Sequence, residues 1–303
     1  MNWKLTILGS NAATPANDRN PSAQVLDCDD RLFLIDCGEG TQMQLRKYKI
    51  KFQRIDHIFI SHLHGDHYLG LVGLLFTYHL FGRTKKLHVY ANAELKEIIG
   101  LQLRASGTTL LYPLEFHDLP ENQAASLFED AKISIRCFPL LHRVPTHGFV
   151  FRQKFTERNI IKEKIDELEI PMSQLAAIKT GADFTDKNGT VHPNAELTLE
   201  PPPAKMYAYC SDTGFSPKIV PYIKNASLLY HEATFMQDRQ ANADTKQHST
   251  TVNAATIAQK ARANKLLIGH FSARYDELTD VIEETRSVFA NADLAIEGNV
   301  YKI

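Results

Sequence analysis

Cysteine is scarce in this chain. Cys28, Cys37, Cys137 and Cys210 are the only four in 303 residues, and no two form a C-x-x-C pair. A disulfide framework or a thiolate metal site is therefore not expected, and a reducing compartment, the cytoplasm, is. Long hydrophobic runs are also missing. The most apolar stretch, 69–81, is too short to span a bilayer and carries His79, so no membrane association is expected. Residues 1–10 read as a strand and not as a secretory leader. There is no excess of one charge: 34 Lys and Arg stand against 35 Asp and Glu, a formal net charge of -1. A uniformly basic nucleic-acid surface is thereby excluded, and any attraction for phosphate must be local. No internal repeat or low-complexity tract is present. The single tryptophan, Trp3, opens an apolar run and suits packing better than stacking on a base.

The chain does have enough apolar content for a core, 44% of residues. Short apolar runs at 4–9, 23–28, 32–37, 57–61, 87–90, 132–138 and 149–153 have the length and flanks of strands, as do 206–210, 228–231, 265–270 and 294–297. Helical spacing appears at 41–48, 71–80, 94–103, 252–263 and 278–290. Strand runs follow one another early and alternate with helices later. This predicts sheets covered by helices, a layered α/β arrangement over one domain, 1–303. Residues 154–187 differ. They are polar, with helical spacing over 160–170 that Pro171 interrupts, and the run 201–203 is all proline and stiffens the return. They read as a projecting insertion.

One short segment concentrates metal-binding chemistry. After the apolar run ending at Phe59-Ile60 come His62-Leu63-His64-Gly65-Asp66-His67. Imidazole and carboxylate suit zinc. In extended backbone His62 and His64 point to one side, and Gly65 permits a turn that brings Asp66 and His67 toward a second ion. Two ions ~3.5–4 Å apart are a recurring device for splitting phosphodiesters. A lone histidine after a strand is usually structural; three with an aspartate are much more specific. His142, Asp212 and His270 each follow another predicted strand, where loops carry function. Together these seven side chains suffice for two ions sharing one carboxylate. The other histidines, His57, His79, His88, His117 and His192, show no partner pattern and are read as structural or exposed. His147, near His142, is placed to support a ligand from behind.

His62-x-His64-x-Asp66-His67 with His142, Asp212 and His270 resembles the metallo-β-lactamase superfamily. The resemblance implies a four-layer αββα sandwich. It also implies two zinc ions (manganese or iron being alternatives): His62, His64 and His142 on one, Asp66, His67 and His270 on the other, Asp212 bridging. Further motifs resemble ribonuclease Z, the endonuclease that removes the 3′ trailer of precursor tRNA. These are the glycine-rich turn Asp36-Cys37-Gly38-Glu39-Gly40-Thr41-Gln42, His231-Glu232-Ala233-Thr234, His248-Ser249-Thr250, and Phe271-Ser272-Ala273-Arg274-Tyr275. Taken as plain structure, the first is a strand-to-helix turn, and Ser249 or Thr250 is a helix N-cap. The resemblance implies Asp66 as the residue orienting or deprotonating the attacking water, and His248, oriented by Glu232, as proton donor to the departing 3′ oxygen. The products would be a tRNA 3′-hydroxyl and a trailer 5′-phosphate. Arg274 is a candidate phosphate contact or a structural ion pair. The stretch 14–20 resembles the family's P-x-K-x-R-N loop, implying substrate contacts from Arg19 and Asn20, with Asn17 in place of the lysine.

A homodimer acting on precursor tRNA is what this resemblance implies, with 154–187 as the tRNA-gripping arm. The arm departs from the family pattern: it lacks Gly-Pro, and over 152–179 six basic residues face five acidic ones. Near-neutral charge weakens a phosphate-gripping role. The competing enzyme reading is a hydrolase of the same fold acting on small phosphodiesters, sulfate esters or cyclic nucleotides, which needs no arm. A non-catalytic RNA-binding or scaffolding protein is disfavoured because every expected ligand is present.

Overall fold

The computed structural model describes residues 3–154, 157–201 and 203–303, so Pro202 of the proline run lies outside the described residues. The chain divides into two compact units. The larger comprises residues 1–128, 135–151 and 206–303; the smaller comprises 129–134 and 152–205.

The larger unit is built on two seven-stranded sheets. In the first, Trp3–Gly9, Ala23–Cys28 and Arg31–Cys37 pair antiparallel, then Ile55–Phe59, Leu87–Ala91 and Leu114–Asp118 continue in parallel. In the second, Met206–Cys210, Leu228–Glu232, Leu266–Gly269 and Ala292–Leu294 run parallel. Side-chain alternation explains the layering. In Met206–Cys210, the even positions Met206, Ala208 and Cys210 join a core with the helix Thr251–Ala261. The odd positions Tyr207 and Tyr209 turn the other way, where their hydroxyls reach Gln24 and Asp36 of the first sheet. Phe33 and Phe59 meet Phe149 and Phe151 across the same seam. The opposite face of the first sheet packs Leu34, Ile58 and Val89 against Leu45, Leu74, Leu75 and Leu95 of helices Thr41–Lys47, Leu71–Leu80 and Glu94–Ala105. Helix, sheet, sheet and helix therefore follow one another: the outer face of each sheet packs apolar side chains against helices, and the seam between the sheets is largely aromatic. The run 69–81 divides by face: Leu71, Leu74, Leu75 and Tyr78 are buried, while Leu69, Leu80 and Phe81 are exposed. Trp3 is buried in its strand.

In the two large sheets, three strands escape the sequence patterns: Leu114–Asp118, Ala125–Glu129 and Val300–Lys302. All three are edge strands, half exposed and short of apolar residues, so they give little signal.

The smaller unit has its own core of Ile170, Ile178, Phe184 and Leu197. Pro171 falls in the break between two helices, as its interruption of the helical spacing predicts. It is the N-cap of a second helix, Met172–Lys179, after the first, Lys162–Glu167. Proline is tolerated at that position because a helix's first N–H groups lack partners anyway. Asn159–Ile160 pairs with Thr198–Leu199 and closes the unit's base. Its charges pair locally, Lys164 with Glu167, Lys187 with Glu169 and Arg158 with Glu200.

Candidate dinuclear metal centre

Each sheet ends in loops that meet at one edge of the seam. Ile55–Phe59 runs into His62, His64 and the short helix Gly65–Tyr68, which carries Asp66 and His67. Gly65 sits inside that helix and makes no positive-φ turn, so the change of direction comes from His64, extended at φ -73°, ψ 144°. From the second sheet, His142 follows Ile133–Pro139, Asp212 follows Met206–Cys210, and His270 follows Leu266–Gly269. His270 holds φ at 60°, a left-handed conformation unusual for histidine that aims its ring into the site.

The seven side chains converge in two groups. His62, His64, His142 and Asp212 present donor atoms within 4.8 Å of one another, and so do Asp66, His67 and His270. Asp212 joins them. Its Oδ2 lies 3.6 Å from His62 Nε2 and 3.7 Å from His142 Nε2, while Oδ1 lies 3.3 Å from His67 Nε2 and 3.2 Å from His270 Nε2. Asp66 Oδ2 stands 3.3 Å from His270 Nε2 and 3.4 Å from His67 Nε2. His67 Nε2 is buried with no hydrogen-bond partner. A buried imidazole nitrogen facing two carboxylates and bonded to neither is a donor awaiting a cation, so the residues fit a metal. Burial and neighbouring imidazoles keep His62 far below its usual pKa, hence neutral and ligand-competent. Burial alone would raise the Asp212 carboxyl, but the imidazoles of His270, His67 and His62 hold it well below the usual carboxylate range.

The far side of most rings is fixed. His67 Nδ1 lies 2.7 Å from Asp36 Oδ2, His142 Nδ1 2.9 Å from the Gln247 carbonyl, and His270 Nδ1 2.8 Å from Thr234 Oγ1. Such outer partners set ring tautomer and orientation. Asp36 is itself buried, in the left-handed region at φ 54°. It also accepts the Ser61 N–H at 2.7 Å and the Tyr209 hydroxyl at 2.6 Å. Within the glycine-rich turn, Gly40 uses its positive φ of 82° to cap the helix Thr41–Lys47. Gly38 is needed for space: a Cβ there would stand 2.4 Å from the Asp66 carbonyl oxygen. That motif thus presses the ligand loop into position.

Beside these seven side chains lies a buried histidine–carboxylate pair. His248 Nδ1 is 2.8 Å from Glu232 Oε1, and Glu232 is fully buried. The Glu232 carboxylate also accepts the Thr213 N–H at 2.9 Å, the Thr234 N–H at 3.0 Å and the Thr234 hydroxyl at 2.7 Å. Burial would lower the His248 pKa, but Glu232 outweighs it and raises the value to about 9. Thr250, next but one, is the N-cap of Thr251–Ala261 with a full capping box through Asn253, so the loop carrying His248 is anchored to a helix. His231 bonds its own strand, Nδ1 to the Glu232 carbonyl at 2.7 Å.

A cleft of about 310 Å³ opens over these groups, lined by Asp66, His248, His270 and the cations Arg143, Lys246 and Arg274. Arg274 and Lys246 sit over the Phe235 ring at 5.3 and 5.8 Å. Arg143 and Lys246 escaped the sequence reading; their one signal is adjacency to His142 and His248. Arg19 and Asn20 are turned inward. The Arg19 guanidinium donates to the Tyr275 and Asp276 carbonyls and to Asn11, and Asn20 bonds Glu297. Arg19 thereby holds the 11–20 loop against the segment after His270, and Asn20 ties the same loop to Glu297. His147 also faces elsewhere, its Nε2 2.8 Å from the Pro120 carbonyl, so it backs no ligand.

Comparison with known proteins adds the following. Residues 3–196 match the family model described as "Anti-Pycsar protein Apyc1". A "Ribonuclease Z" of Bacteroides thetaiotaomicron is 43% identical over 296 residues, 98% of this chain and 94% of that one. A "Ribonuclease Z" of Porphyromonas gingivalis is 43% identical over 287 residues, 95% of this chain and 94% of that one. Among solved structures, human tRNase Z, short form, superposes with a TM-score of 0.73 at 29% identity over 98% of each chain. The metallo-β-lactamase fold protein YhfI of Bacillus subtilis gives 0.71 at 19% identity over all of both chains. The architecture is thus the metallo-β-lactamase fold. The family model stops before Asp212, Glu232, His248 and His270; the relatives named ribonuclease Z run through all four.

Proposed function

The chain belongs to the ribonuclease Z family, and we propose that it is a metal-dependent endoribonuclease removing the 3′ trailer from precursor tRNA. Cleavage would leave a 3′-hydroxyl on the tRNA and a 5′-phosphate on the trailer. The observation that carries this reading is the Glu232–His248 pair set beside two donor groups that share Asp212. A hydrolase of small activated esters has no need of a buried, carboxylate-held imidazole, whereas an RNA 3′ oxygen leaves poorly unless it is protonated.

His62, His64 and His142 would hold one ion, and Asp66, His67 and His270 the other, with Asp212 between them. The nitrogen-rich donor set favours two zinc ions, manganese or iron being the alternatives. When bound, such ions supply Lewis acidity toward a phosphoryl oxygen and lower the pKa of a water. Asp66, its Oδ2 held by the Ala13 N–H at 2.8 Å, orients the attacking water. Arg143, Lys246 and Arg274 attract the phosphates around the scissile bond. His248 donates its Nε2 proton to the departing 3′ oxygen. Arg19 and Asn20 keep the Asp66-facing loop in place. The smaller unit serves as the arm that engages the tRNA body. The assembly is a homodimer, for which exposed Met43, Leu69, Leu80 and Phe81 offer an apolar surface. All four cysteines are buried, no disulfide joins them, and no helix among the described residues is long and apolar enough to cross a membrane. These features support a cytoplasmic enzyme.

The deciding experiment is cleavage of a 3′-extended precursor tRNA by purified protein, with bis(p-nitrophenyl) phosphate in parallel, each with and without chelator. Chelator-sensitive cutting near the discriminator base, where the trailer joins the tRNA, is expected. Turnover of the small diester with the precursor left intact would move the assignment to small phosphodiesters.

A further inference from the structure

Away from the reaction site, the first sheet carries a second convergence of metal donors. Leu87–Ala91 and Leu114–Asp118 pair in parallel with His88 opposite Glu115 and Tyr90 opposite His117. Alternation therefore places His88, Glu115 and His117 on one face of the sheet. His88 Nδ1 lies 2.9 Å from His117 Nε2 and 4.0 Å from Glu115 Oε2; His117 Nε2 lies 3.7 Å from Glu115 Oε1. Donors bound to one zinc at ~2.0–2.2 Å in tetrahedral geometry stand about 3.3 Å apart. The three observed separations bracket that value, and all three donors fall within 4.8 Å of one another.

The ring planes are already set. His88 stacks on His57 at 4.9 Å between centroids and 11° between planes, and His117 stacks on Tyr90 at 4.5 Å and 15°. His57 is kept neutral, its pKa lowered to about 4 by burial and by His88, so it adds no competing charge. Side-chain exposures of 25%, 32% and 44% for His88, His117 and Glu115 leave the fourth position open to solvent. One cation already competes for the site: Lys86 Nζ holds Glu115 Oε2 at 2.7 Å.

We propose that His88, Glu115 and His117 form a second, solvent-open site for one divalent transition ion of the zinc class, separate from the ligands of the reaction site. Two imidazoles and one carboxylate match the Zn²⁺ and Cu²⁺ end of the divalent series and disfavour magnesium and calcium. Lys86 acts as its built-in competitor. None of these four residues belongs to the catalytic machinery, so the site's fate is independent of the tRNA-processing assignment.

The test is metal content per chain at buffered micromolar free zinc, for wild type, His88→Gln/His117→Gln and Lys86→Ala. The double variant should retain one ion fewer per chain and keep wild-type turnover of bis(p-nitrophenyl) phosphate. Lys86→Ala should fill the same position at about 2–5-fold lower free zinc, the effect of removing one exposed ion pair. Equal metal content in wild type and double variant overturns the proposal, as does an extra ion that appears only at millimolar zinc. If the double variant does not fold, Lys86→Ala decides: an unchanged zinc titration then overturns the site.

Discussion

At the scale of single residues, the convergence of the seven candidate metal ligands was legible because their chemistry is concentrated in residue types that seldom cluster. Six positions after one apolar run hold four of them, and three more follow other runs. What holds those donors was harder to see. Asp36 stood inside a glycine-rich motif, yet its buried contacts to His67, Ser61 and Tyr209 span the seam between sheets. The Gln247 carbonyl behind His142 is backbone and leaves no mark in the sequence at all. Arg19 and Asn20 resembled substrate contacts because motifs record position and not the direction a side chain takes. The proton donor yields the sharpest expectation at this scale. His248→Ala should lower kcat on precursor tRNA by about 10²–10⁴-fold. The same variant should turn over bis(p-nitrophenyl) phosphate nearly normally, since p-nitrophenolate leaves without a proton, and its metal content should be unchanged. An equal loss on both substrates would remove His248 from that role.

At the scale of elements, the long strands and helices of both sheets followed from period alone, since each buries one face or two. Edge strands such as Leu114–Asp118 were missed because partial exposure erases the alternation that would reveal them. Pro171 interrupts the helical spacing as expected, and in addition it caps the helix that follows, which spacing alone does not reveal. The smaller unit can be removed on geometric grounds. Asn159 and Leu199 are paired neighbours at its base, and its core residues Ile170, Ile178, Phe184 and Leu197 all lie between them. Replacing residues 160–198 with a short glycine–serine turn should raise KM for precursor tRNA about tenfold, a loss near 1.4 kcal/mol of binding. Small-diester kinetics should stay as in wild type. An unaltered KM for the precursor would mean that this unit does not grip the tRNA, in keeping with its locally paired charges.

At the scale of the whole molecule, the candidate ligands come from both sides of the seam, four from the first sheet's loops and three from the second's. His62 and His64 come from the first sheet's loops, and His142 and Asp212 from the second's. Asp66 and His67 are likewise met by His270 and by the other oxygen of Asp212. Stability should therefore depend on the ions. An ion at about a thousand times its Kd adds roughly 4 kcal/mol to the folded state. Stripping both ions, together worth roughly 8 kcal/mol, should accordingly lower Tm by about 10–15 °C, recoverable on reloading, by the usual scaling for a chain of this size. Calorimetry of chelated and reloaded protein checks this, and identical melting of the two forms would show that the loops stand without their ions.

The same division has a consequence for how the chain could be cut. Asp66 and His270 lie 204 residues apart yet meet at one point, so an ion bound by each donor group would tie together two stretches of polypeptide that are otherwise joined only through sheet packing and a long covalent path. Separated N- and C-terminal halves would each carry an incomplete pair of ligands. Reassembly of such halves should then be zinc-dependent, with the centre acting as the rivet between them.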